Sequence, residues 1–143
     1  MSLIRGSQKE DLLKKVPLFN NLSKHHLREI GRHADQVQVE AGKVLVEQGK
    51  TGYEFIFSVE GKARVEKDGK VIRQLSGGDF FGEISLIDGQ PRTSTVVAET
   101  DMTLLVVHKP SFDHLLGAVP GLQRKILTSL CQYLRRAETT MNI

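Results

Sequence analysis

Between residues 35 and 108 the chain is cut by glycine into short runs that alternate apolar and polar side chains. Val37 and Val39 alternate with Gln36, Gln38 and Glu40, and Val44 and Val46 follow. Phe55, Phe57 and Val59 come next, then Ala63 and Val65, then Val71. Gly42, Gly49, Gly52, Gly61, Gly69 and the pair Gly77-Gly78 punctuate these runs. A period of two puts the apolar side chains on one face of a strand. Asp68-Gly69 lies between two such runs, and both residue types tolerate positive φ, which marks a tight hairpin. Thr93–Ala98 and Thr103–Val107 are β-rich as well, making about eight strands. Many short strands at this spacing predict a barrel or jelly roll.

The period is helical on either side. Leu12, Leu13 and Val16 make one stripe within residues 9–33, and Leu22, Leu27 and Ile30 make another. Pro17 should end the first helix, and Asn21 or Ser23 should cap the second. After Pro110, Phe112, Leu115 and Leu116 form a brief helix that Gly117 and Pro120 terminate. Leu122, Ile126, Leu130, Leu134, Ala137 and Met141 then recur at spacings of three or four, a helix of about twenty residues with one apolar side. The expected architecture is α+β: an eight-stranded antiparallel jelly-roll barrel (a double-stranded β-helix) over 35–108, helices over 9–33 and helices over 111–141. Residues 9–143 make one domain without repeat or linker, and residues 1–8 are expected to be a disordered or tag-derived tail.

A length of 143 residues, with 39% apolar and 26% charged, suits one folded domain with its own core. The longest apolar run, Leu104-Leu105-Val106-Val107, is far short of the roughly 18 residues a membrane helix needs. No apolar leader opens the chain, and the single Cys131 rules out an internal disulfide, which points to a reducing, cytoplasmic setting. The net charge of +3 is unevenly spread: residues 1–33 hold seven basic against three acidic groups, and residues 34–120 hold nine against thirteen. The basic excess therefore sits on the flanking helices, without the density of a nucleic-acid surface.

One segment has chemistry to offer. Phe81-Gly82-Glu83-Ile84-Ser85-Leu86-Ile87-Asp88-Gly89-Gln90-Pro91-Arg92-Thr93-Ser94 holds a carboxylate and a guanidinium nine residues apart. That is too far for a pair along one helix face. Glu83–Asp88 is long enough for one or two helical turns, whose first N–H groups attract anions, and Gly82 permits close approach of a ligand. Arg92 would grip a phosphate through its fork, with the Thr93 and Ser94 hydroxyls beside it. Glu83 would accept from a sugar hydroxyl. A Glu–Arg bridge across a surface connection explains the same spacing, and on spacing alone the two readings weigh equally.

Other signals are weaker. Gly49-Lys50-Thr51 lacks the earlier glycine of a P-loop, since position 44 is Val, and reads as a turn. His25, His26 and His33 share a mixed helix without paired carboxylates, and His108 and His114 are scattered, so a surface role is expected and no metal. A metal-dependent cupin would need several strand histidines. No nucleophile elbow is present and Cys131 lies on a helix flank, so no enzyme is expected.

Residues 9–141 resemble the cyclic nucleotide-binding domain of bacterial catabolite activators, cyclic-nucleotide-dependent kinases and nucleotide-gated channels. The family's phosphate-binding cassette, F-G-E-[ILM]-[AS]-L followed by P-R-[AST]-[AST]-T-V, is matched by Phe81–Leu86 and by Pro91-Arg92-Thr93-Ser94-Thr95-Val96. Val16-Pro17-Leu18-Phe19, Ala41-Gly42, Gly61 and Gly78-Asp79-Phe80 match as supporting landmarks. The resemblance implies that Glu83 takes the ribose 2′-hydroxyl, Arg92 the cyclic phosphate, and backbone N–H groups around Ile84 and Ser85 the rest of the phosphate. It implies cAMP as ligand, favoured over cGMP, for which Thr93 would be the discriminating residue, and no further cofactor. It also places a base lid on the last helix, with Tyr133, Thr139 and Thr140 as candidates.

The expected function is that of a bacterial sensor module in which the nucleotide tightens the cassette, the 112–116 helix follows, and the long helix closes over the base. The stripe over 121–141 packs on the barrel or on a second copy as a dimer. The alternatives are the sensor part of an activator-type transcription regulator and a scaffold of the same fold that binds nothing.

Overall fold

The computed structural model describes residues 6–140, with side chains over 9–138. The alternating runs become β1 (Asp35–Val39), β2 (Val44–Val46), β3 (Glu54–Glu60), β4 (Ala63–Lys67), β5 (Lys70–Leu75), β7 (Thr95–Ala98) and β8 (Met102–His108). An eighth strand, β6, is the pair Phe80–Phe81, too short to show a period. The strands form two antiparallel four-stranded sheets, β1-β8-β3-β6 and β2-β7-β4-β5, a jelly roll. Asp68 and Gly69 join β4 to β5 with φ of 52° and 79°, both positive as the two-residue hairpin requires. The ladder of β7 starts at Thr95, two residues later than the β-rich run, because Thr93 and Ser94 belong to the loop that feeds it.

Helices α1 (Gly6–Lys14) and α2 (Lys24–Arg32) precede the barrel, and α4 (Lys109–Ala118) and α5 (Leu122–Thr140) follow it. Helix α1 starts inside the expected 1–8 tail, and residues 1–5 lie outside the described residues. Packing of its buried Leu13 fixes this helix, and helical hydrogen bonding propagates backward from such an anchor beyond the last apolar residue. Ser23, and not Asn21, caps α2, its hydroxyl accepting from the His26 N–H at 3.2 Å. Helix α4 runs through Gly117 and stops at Val119, before Pro120.

Two cores meet at the β3–β8 sheet. Ile56, Leu104 and Val106 face the barrel interior with Val65, Phe81 and Val96. Their neighbours Phe55, Phe57, Leu105 and Val107 face the other way, against Leu13, Leu27, Phe112, Leu122 and Ile126 of the helices. Because both faces are covered, β8 is apolar without interruption from Leu104 to Val107. Phe55 lies 4.5 Å from Phe57, 5.6 Å from Phe80 and 5.3 Å from Phe112 between ring centroids, joining the strand before the 81–94 loop to α4. Helix α5 divides: Leu122 and Ile126 are buried, whereas Leu127 and Leu134 are about 60% exposed. Among the described residues no helix is long and apolar enough to cross a membrane.

Packing of α2 on α4 also corrects the reading of two histidines as unconnected. The rings of His33 and His114 lie 5.0 Å apart, with the carboxylate of Glu29 beside both.

Candidate functional site

β6 ends at Phe81 and the chain turns through Gly82 into a short helix, α3 (Glu83–Asp88). Gly82 has φ of 100°, and a Cβ there would stand 2.5 Å from the Glu54 carbonyl oxygen. Only glycine fits both the dihedral and the approach. The turn sets Glu83 as the first residue of α3 with its side chain inward, 3% exposed. Gly89, with φ of 71°, closes the helix by donating its N–H to the Ser85 carbonyl at 3.0 Å.

Arg92 arrives from the connection between α3 and β7 and is also buried, 6% exposed. Its backbone docks on the turn after β2: its N–H donates to the Lys50 carbonyl at 2.8 Å and its carbonyl accepts from Gly49 at 2.9 Å. Nη1 donates to the Gly82 carbonyl and Nη2 to the Glu54 carbonyl, each at 2.8 Å. Two backbone carbonyls thus fix the plane of the guanidinium. A Cβ on Gly52 would overlap that plane, 1.8 Å from Nε. The turn at 49–52, which looks like the end of a P-loop, is the seat of Arg92.

Glu83 and Arg92 do not pair with each other, since no nitrogen–oxygen approach within 4.0 Å joins them. A surface Glu–Arg bridge is therefore excluded. Burial pushes the Glu83 carboxyl above its ordinary 4.5, against its own backbone N–H and the fields of Arg73 and Arg92. Burial likewise lowers Arg92, opposed by Glu54 and Glu83. Two buried groups of opposite charge that do not touch each other can between them take a ligand with an anionic end and a hydroxyl end.

They share a cleft of about 240 Å³. Phe81, Gly82, Glu83, Ile84, Ser85, Arg92, Thr93 and Ser94 all line it, as does Tyr133 from α5. Its inner wall is apolar, from Val46, Val65 and Val96. The side chains of Thr139 and Thr140 lie outside the described residues. Arg73, which sequence reasoning passes over, lines the cleft from β5. It pairs across the ladder with inward-facing Val65 and shares the face of buried Leu75, so an arginine two residues before an inward leucine is the signal that would have found it. The Arg73 guanidinium lies 5.5 Å from the Tyr133 ring centroid and that of Arg136 lies 5.0 Å from it. Tyr133 thereby connects α5 to the barrel across the mouth of the cleft.

Comparison with known proteins places this geometry. A family model described as "Cyclic nucleotide-binding domain" matches residues 36–118. The chain is 38% identical over 116 residues to a cAMP-dependent protein kinase regulatory subunit of Schizosaccharomyces pombe, covering 80% of this chain and 28% of the relative. It is 36% identical over 115 residues to a cyclic nucleotide-gated potassium channel of Rhizobium etli, covering 80% and 32%. The chain thus spans roughly a third or less of the length of these relatives. Among solved structures, the catabolite activator protein of Thermus thermophilus superposes with a TM-score of 0.83 at 25% identity, covering 88% of this chain and 62% of that one. The regulatory domain of Toxoplasma gondii PKA with cAMP gives 0.81 at 23% identity, covering 90% and 51%, a likeness of fold. Fungal relatives stand beside bacterial ones, so the comparison does not extend to the expected bacterial origin.

Proposed function

The chain belongs to the cyclic nucleotide-binding domain family, a family of non-catalytic regulatory modules, and on that premise we propose that its cleft binds cAMP in preference to cGMP. The observation that carries this reading is that Glu83 and Arg92 are both buried, form no ion pair with each other and line one cleft. Arg92 takes the cyclic phosphate with the N–H groups its carbonyl partners leave free, and backbone N–H groups at Ile84 and Ser85 complete the cradle. Glu83 accepts from the ribose 2′-hydroxyl. Thr93 and Ser94 stand beside the phosphate, and Tyr133 covers the base. The named ligand of the kinase regulatory relatives favours cAMP.

The signal is a population shift toward a closed state with higher nucleotide affinity. The buried Leu86 of α3 packs in the same core as Phe112 and Leu115 of α4, so a cassette that tightens on the phosphate bears directly on α4 and, through it, on α5. The exposed Leu127 and Leu134 support pairing of α5 with a second copy in a homodimer.

Calorimetric titration of the chain with cAMP and cGMP tests the assignment. Binding of cAMP more tightly than cGMP is expected. Arg92→Ala should weaken it by about 100-fold or more, the loss of two charge-assisted hydrogen bonds. Absence of heat with both nucleotides at about 0.1 mM protein, or an unchanged affinity in Arg92→Ala, would overturn it.

A further inference from the structure

We propose that Glu29, His33 and His114 form a site for a divalent first-row transition metal ion, of which zinc is representative, joining α2 to α4. The three ligand atoms lie within 4.8 Å of one another. Glu29 Oε1 is 3.4 Å from His33 Nε2 and 3.3 Å from His114 Nε2. Ligand atoms about 2.1 Å from a tetrahedral zinc are separated by about 3.4 Å, so these two edges already have the length that coordination needs. Two imidazoles and one carboxylate are the donor set that zinc and its neighbours favour, and magnesium or calcium, which ask for more oxygens, do not.

The surroundings hold these donors in place. His33 Nδ1 lies 3.2 Å from Ser111 Oγ, so its second nitrogen has a partner of its own and Nε2 can present its lone pair. Arg32 donates to Glu29 Oε2, the carboxylate oxygen turned away from the histidines, which leaves Oε1 for the ion. The Arg32 guanidinium opposes a cation, but its side chain is 63% exposed and water screens it. His114 is half exposed, leaving room for a water at the fourth position.

Glu29 stands in the last turn of α2 and His33 is the residue that caps its C-terminal end, so the end of one helix supplies both donors. His114 comes from α4, 85 residues along the chain from Glu29. An ion here would link the N-terminal helix pair to the helix that follows the barrel.

The test titrates the full chain, stripped with EDTA and carrying Cys131→Ser to remove the competing thiol, with zinc chloride and with magnesium chloride. One zinc per chain and no magnesium binding are expected. His114→Gln should reduce zinc affinity at least about tenfold, and His25→Gln/His26→Gln should leave it unchanged. Cobalt(II) should give the intense visible absorption of a four-coordinate site, and His114→Gln should abolish it. Circular dichroism of His114→Gln should match the parent, since the half-exposed side chain is not part of the core. Absence of zinc heat at about 0.1 mM protein, or equal affinity in His114→Gln, would overturn the proposal and leave both imidazoles donating to the carboxylate without an ion.

Discussion

At the residue scale, the site depends on what holds Arg92 as much as on Arg92 itself. Gly52 has no side chain because the guanidinium occupies that space, with Nε 1.8 Å from where a Cβ would stand. Gly52→Ala should therefore displace the guanidinium, costing about 1–3 kcal/mol of stability by overpacking. Nucleotide affinity should fall at least about tenfold, read by thermal unfolding and titration together. Glu83 gives a prediction in pH. Its carboxyl is raised above 4.5 in the unliganded fold, chiefly by burial. As pH rises from about 4.5 toward that raised value, the unfolded chain releases this proton first, and the folded state loses stability across that window. Glu83→Gln should remove this loss. By calorimetric unfolding from pH 4.5 to 7, the unliganded variant should equal or exceed the parent at neutral pH, while binding nucleotide more weakly. A variant less stable than the parent at pH 7 would contradict an uncompensated buried carboxylate.

At the element scale, three short pieces act together: the two-residue β6, the six-residue α3 and the turn at 49–52. None has a stripe or alternation long enough to identify it, yet each places one part of the cleft. Phe80, Phe55 and Phe112 connect β6 to α4 by ring contacts, and Leu86 connects α3 to the same core. Helix α5 is tied to the barrel at its exposed half by Tyr133, whose ring meets the Arg73 guanidinium of β5, while Arg136 contacts the same ring from within α5. Cation–π contacts of this kind contribute about 0.5–1 kcal/mol each. Tyr133→Ala should loosen α5, seen as faster amide exchange over residues 127–138, and weaken nucleotide binding roughly fivefold. Tyr133→Phe keeps the ring and should stay close to the parent. Equal exchange in the alanine and phenylalanine variants would show that the ring does not tether the helix.

At the scale of the whole molecule, the apolar residues of α5 serve two purposes. Leu122 and Ile126 close the helical core, while Leu127 and Leu134 remain open to solvent. Sedimentation velocity should show a dimer of the parent chain and a monomer of Leu134→Glu, with unchanged far-UV circular dichroism. A monomeric parent at concentrations above 0.1 mM or so would leave α5 without the proposed partner.

Local pattern carries much of this protein. Alternation at Val37–Val39, the short apolar runs at Phe55–Phe57 and Leu104–Val107, the Asp68-Gly69 turn and the recurrence from Leu122 to Leu134 are set by nearest neighbours along the chain, so strands, hairpin and helices are legible without coordinates. The cassette from Phe81 to Ser94 is legible for the same reason, as a contiguous string. What only the tertiary structure decided is which distant residues share a space. Glu83 and Arg92 are held apart and buried, Gly52 makes room for the Arg92 guanidinium, Arg73 lines their cleft, and His114 meets Glu29 and His33 across two helices. These placements follow from how sheets and helices pack, and packing depends on side chains far apart in sequence, which periodicity along one segment does not record.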